Sequence, residues 1–121
     1  MLELLRWLVS SDRRKYERFI MPSGIMAKCV YMESGKRVEF PATILNVSKG
    51  GAKINTGETK VFTKTVLDIS VELPGGQKKI SISGEVIRTY RMQNQGTYFS
   101  AVKFKEENGE AANALVDFVR A

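Results

Sequence analysis

The chain has 121 residues, 43% hydrophobic and 26% charged, the length and balance of one soluble domain with its own core. No apolar run approaches the ~20 residues that a membrane-crossing helix needs. It contains no histidine and a single cysteine, Cys29, which excludes an internal disulfide framework, the usual zinc ligand sets and the commonest general base, so neither catalysis nor a metal site is expected. The net charge of +6 favours an anionic partner, whether nucleotide, nucleic acid or membrane surface, without choosing among them.

Met1 to Ser11 is apolar, but Glu3 and Arg6 interrupt the run and no small-residue cleavage site follows, so it does not read as a secretion signal and the expected location is the cytoplasm. Leu2, Leu5 and Val9, or Leu4 and Leu8 beside Trp7, predict a short amphipathic helix. The basic run Arg13-Arg14-Lys15-Tyr16-Glu17-Arg18 follows.

From Met26 onward, short runs of β-branched and aromatic residues alternate with turn signals, which predicts an all-β barrel or sandwich. Ser34-Gly35 separates Met26–Glu33 from Arg37–Leu45. Over Val66–Leu73 the apolar residues Leu67, Ile69, Val71 and Leu73 share one face, which predicts a half-buried strand. Pro74-Gly75-Gly76 is a turn, and the strand Lys79–Tyr90 contains Gly84, read as a bulge or a sharp barrel corner. Tyr98–Phe104 is a last strand. Ala111, Leu115, Phe118 and Val119 then recur at helical spacing, so a C-terminal helix packs one face on the barrel. The flanking residues of Cys29 place its thiol in a strand as a small hydrophobe.

Two motifs carry the chemistry, and each has a plain structural alternative. Arg14 and Arg18 form an Arg-x-x-x-Arg just before the barrel; arginines four apart also describe a solvated helical face, with Glu17 pairing Arg13. Asn46-Val47-Ser48-Lys49-Gly50-Gly51 lies between two apolar strands; it also describes a polar turn in which Asn and Ser bond nearby backbone and glycine supplies positive φ. Its Asn-x-Ser matches a glycosylation acceptor, an accidental match in a chain without a secretion signal.

The two motifs in this order, with the strands around them, resemble the PilZ family, whose signature is Arg-x-x-x-Arg on an N-terminal loop followed by Asp/Asn-x-Ser-x-x-Gly at a strand end. Arg14, Arg18, Asn46, Ser48 and Gly51 occupy every fixed position, and Gly84-Glu85-Val86 and Tyr98-Phe99-Ser100-Ala101-Val102-Lys103-Phe104 are similar to the family's later strands. The resemblance runs from about Asp12 to the C-terminus. It implies a mostly β fold, a small antiparallel β-barrel with a short N-terminal helical arm (residues 1–20) and a C-terminal α-helix on the barrel unit (residues 21–121). It also implies binding of the second messenger cyclic di-GMP with no catalytic activity.

That ligand carries two phosphodiesters and two guanines. An arginine fork reaches guanine N7 and O6 or two phosphate oxygens, and its flat face stacks on a base. Arg14 and Arg18 are therefore assigned together to guanine and phosphate, and Asn46, Ser48 and Gly51 to a guanine pocket, with Gly50 and Gly51 letting the backbone approach a ring. Arg13, Lys15 and Lys49 are further anion contacts. Asn46 stands where many members carry Asp, which removes a charge and keeps an acceptor. In the family, an arginine at the position of Arg13 accompanies two intercalated ligands rather than one.

A ligand touching both arm and barrel clamps the arm, moves the Leu2–Val9 helix and relays the change to a downstream protein partner. The expected protein is a monomer or weak homodimer that does not bind DNA. Two alternatives stand beside this reading. One is a basic barrel binding single-stranded nucleic acid through Tyr31, Phe40, Tyr90, Tyr98 and Phe99; the other is a PilZ-like interaction module that does not bind nucleotide.

Overall fold

The computed structural model describes residues 19–72, 79–91, 96–105 and 109–120. The expected Leu2–Val9 helix, together with Arg13, Arg14, Lys15 and Arg18, lies outside the described residues. Six strands, β1 (Phe19–Glu33), β2 (Lys36–Val47), β3 (Gly51–Gly57), β4 (Val66–Glu72), β5 (Lys79–Arg91) and β6 (Tyr98–Phe104), precede one helix, α1 (Glu110–Arg120). Each strand is antiparallel to its neighbours, and the order β1-β2-β3-β6-β5-β4 closes because β1 pairs with both β2 and β4. Closure leaves no open sheet edge to attract another chain.

Alternation builds the interior. Leu67, Ile69 and Val71 point inward from β4, as their period of two requires, and meet Ile44, Ile54 and Phe104 from the opposite wall. Cys29 is fully buried among them. Ser34 and Gly35 have φ of 51° and 79°, the pair of positive values that a two-residue turn between twisted strands demands. One face of α1 is covered: Ala112, Leu115 and Val116 are buried, and Ala111 and Val119 pack at its margin. The helix thus seats about one residue's rotation from the expected Ala111–Leu115–Phe118–Val119 stripe.

Gly84 differs from expectation. It pairs in regular register with Leu67 and Phe104, and the shift in β5 falls between Val86 and Arg88, with Ile87 as the extra residue. What Gly84 provides is space, since a Cβ there would lie 2.4 Å from Val102 Cγ1 and 2.9 Å from the Lys103 carbonyl oxygen.

Candidate ligand-binding face

The Asn-x-Ser-x-x-Gly motif forms the end of β2, the connecting loop and the start of β3, so backbone continuity brings Asn46, Ser48, Gly50 and Gly51 together. Ser48 is buried, and its Oγ accepts from the N–H groups of Gly50 and Gly51, both at 3.2 Å. The hydroxyl donates to the Gly51 carbonyl at 3.4 Å, and the Ser48 N–H donates to the same oxygen at 2.8 Å. Both acceptor sites and the single proton of the hydroxyl are thereby used within the loop. Ser48 fixes the loop's shape. The Phe104 N–H donates to the Gly50 carbonyl at 2.9 Å and ties the loop to β6.

Gly51 serves close approach, but to protein: a Cβ there would lie 2.3 Å from the Val102 carbonyl oxygen. It lacks the positive φ that the turn reading expected of a glycine; that conformation occurs at Gly24, Gly35, Gly57 and Gly96.

Asn46 is buried, and its backbone pairs with Ile20 of β1 on one side and Lys53 of β3 on the other. Ile44 opposes Ile54, both facing the core, and the next pair is Asn46 with Lys53, so Leu45 is an extra residue that turns Asn46 onto the outer face. Following the register across the sheet gives one outer row, Asn46, Lys53, Ala101 and Arg88, and beside it a second, Thr43, Asn55, Phe99 and Tyr90. Tyr90 and Phe99 stack with centroids 5.6 Å apart, and Lys53 Nζ lies 5.4 and 5.5 Å from their centroids. No carboxylate stands in either row. The face beside the motif is therefore cationic and partly aromatic, suited to a ligand with phosphates and flat bases.

Sequence reading did not single out Lys53 and Arg88, which come into one outer row with Asn46 only through the strand order β2-β3-β6-β5 and the bulges at Leu45 and Ile87. Alternation counted outward from Gly51 signals only that Lys53 is on the surface. Lys49 is half-buried in the loop itself.

The five aromatics proposed to stack on nucleic acid are divided among three groups, Tyr31 with Phe40, Tyr90 with Phe99, and Tyr98 with Arg91. Phe40 and Phe99 are buried, Tyr31 meets Phe40 edge-on with centroids 6.0 Å apart, and Arg91 covers the Tyr98 ring at 5.8 Å. Burial pushes the Cys29 thiol up to about 12, which keeps it protonated and unreactive. A cleft of about 310 Å³ between β5 and the start of α1, lined by residues such as Ser81, Ser83, Lys105 and Ala112, shares no residue with the motif. Among the described residues no cluster of carboxylates and thiols is arranged to hold a metal ion, and no helix is long and apolar enough to cross a membrane.

The family model for the PilZ domain matches residues 12–121, both motifs included. The chain belongs to the PilZ family. No curated protein matches it. In fold, this PilZ chain is similar to the Bacillus subtilis inhibitor of motility MotI/DgrA, with a TM-score of 0.66 at 18% identity, covering 89% of this chain and 50% of that one. It is also similar to the PilZ domain, with c-di-GMP, of YcgR from Escherichia coli, with a TM-score of 0.64 at 15% identity and 89% of each chain covered. The K. pneumonia MrkH–c-di-GMP complex gives a TM-score of 0.56 at 15% identity, covering 89% of this chain and 53% of MrkH. The PilZ chain thus spans about half the length of MotI/DgrA and of MrkH.

Proposed function

We propose that this PilZ protein is a receptor for cyclic di-GMP that lacks catalytic activity and relays ligand binding to a partner protein. The observation that carries the reading is that the strand beginning right after the Arg-x-x-x-Arg pairs beside the Asn-x-Ser-x-x-Gly loop. Phe19, joined by one peptide bond to Arg18 of the Arg-x-x-x-Arg, pairs with Val47, and Ile20 pairs with Asn46, so the basic run leads directly into the strand that borders the Asn-x-Ser-x-x-Gly loop. The cationic outer face beside Asn46 and the c-di-GMP named with the YcgR and MrkH structures support the same ligand.

In this reading Arg14 and Arg18 contact guanine and phosphate, Arg13 serves a second ligand molecule, and Asn46 with the backbone at Gly50 and Gly51 receives a guanine. Ser48 holds that backbone in place. A ligand bridging the run and the loop closes the arm on the barrel, and the altered arm is what a partner senses. Thermal unfolding tests the proposal, because a ligand that binds only the folded state raises the midpoint with concentration. Cyclic di-GMP is expected to raise it and GMP to leave it unchanged. Equal midpoints with and without saturating cyclic di-GMP would remove the receptor assignment.

A further inference from the structure

The turn between β3 and β4 presents apolar side chains that the nucleotide-binding reading does not use. Phe62 is 65% exposed, Ile87 53% and Val66 39%. Backbone hydrogen bonds hold the three together: the Lys64 N–H donates to the Val86 carbonyl at 2.7 Å, the Val86 N–H to the Thr65 carbonyl at 2.8 Å, and the Thr65 N–H to the Phe62 carbonyl at 3.2 Å. Thr89 Oγ1 also donates to the Val61 carbonyl. Val66 opposes Glu85, two residues before Ile87. Phe62 thus projects from a turn fastened to the bulged part of β5, while Val61 beside it is buried in the core.

Cations surround this cluster. Lys60 Nζ lies 5.3 Å from the Phe62 ring centroid, and Lys64 is exposed on the same turn. Glu85 is flanked across β6 by Lys103, and Glu58 is the other acidic neighbour in the turn. Lys64 has φ of 73°, a left-handed conformation that a lysine occupies at a penalty of roughly 1–2 kcal/mol and a glycine would occupy freely.

We propose that this turn is a docking surface for an anionic lipid bilayer, with Phe62, Ile87 and Val66 entering the interface and Lys60 and Lys64 meeting headgroup phosphates. Three apolar side chains on a turn suit shallow insertion, where a few residues and a basic rim suffice. Lysines beside exposed apolar side chains match the charge order of an anionic headgroup layer over acyl chains. The surface is distinct from the Asn46 face and does not depend on nucleotide binding.

Sedimentation of the full chain with vesicles tests this. Vesicles of equal phosphatidylcholine and phosphatidylglycerol are expected to carry the protein down, and pure phosphatidylcholine vesicles to leave it in solution. Phe62→Ser with Ile87→Ser is expected to lower the partition constant roughly tenfold or more, and Lys60→Gln with Lys64→Gln by about 25-fold. The lysine pair carries the test if the apolar pair does not fold. Equal sedimentation with both vesicle types, or anionic binding that neither pair of substitutions reduces, overturns the proposal. Retention on immobilised polyglutamate through the same residues, with no vesicle binding, reassigns the surface to an acidic protein and overturns it equally.

Discussion

Ser48 and Gly51 show that the Asn-x-Ser-x-x-Gly motif holds the fold together locally. Replacing Ser48 with Ala leaves two loop N–H groups without their acceptor, which is expected to cost about 1–3 kcal/mol of stability. Gly51→Ala forces the Val102 carbonyl to move, since that oxygen would lie 2.3 Å from the new Cβ, and a similar loss of about 1–3 kcal/mol is expected. Denaturant unfolding measures both. Arg14→Ala and Arg18→Ala should separate from these by weakening cyclic di-GMP binding by at least ~1.5 kcal/mol with an unchanged unfolding midpoint. Arg13→Leu should lower the stoichiometry from two ligands per chain toward one, as saturating titration would show. The motif was legible from its residue types, as was Ser48 bonding nearby backbone, but the close approach at Gly51 was not, because Val102 nears it only once β6 pairs with β3. Cys29 gives a pH test. Its folded-state thiol is raised to about 12 from 9.0, so the unfolded chain loses that proton first as pH rises. Stability from this group is full below about pH 9 and declines toward pH 12. Cys29→Ala should flatten that part of the stability curve; identical alkaline curves would contradict the assignment.

At the level of elements, β4 was readable because its apolar residues follow the pleat, and Ser34-Gly35 because a two-residue turn has few alternatives. The start of β1 was not. Pro22-Ser23-Gly24 has the composition of a break, yet the strand runs from Phe19, with a register shift between Ile20 and Ile25 and Gly24 at φ of 71° absorbing the irregularity. That extension brings β1 alongside Asn46. Gly84 was read as a bulge or a sharp corner; the register shift occurs instead at Ile87, and close packing against β6 is what requires Gly84 to lack a side chain. The arm carries its own prediction. If a ligand bridges the basic run and the β2–β3 loop, amide exchange over residues 10–20 should slow at saturating cyclic di-GMP relative to the barrel strands. Unaltered exchange in that segment, with binding intact, would refute the clamp.

For the whole molecule, barrel closure decides what the sequence could only list. Residues far apart in the chain become neighbours through the order β2-β3-β6-β5, so Lys53, Arg88 and the stacked Tyr90 and Phe99 flank a motif with which they share no sequence pattern. Among the described residues, closure puts Lys53 and Arg88 in one outer row with Asn46, and Lys60 and Lys64 on the Phe62 turn. The most direct test is calorimetric titration of the full chain with cyclic di-GMP, beside GTP, GMP and an oligonucleotide. Saturable heat with cyclic di-GMP and none with the mononucleotides is the predicted result. Absence of heat with cyclic di-GMP, or an oligonucleotide that binds with a steep salt dependence and displaces it, would contradict the account.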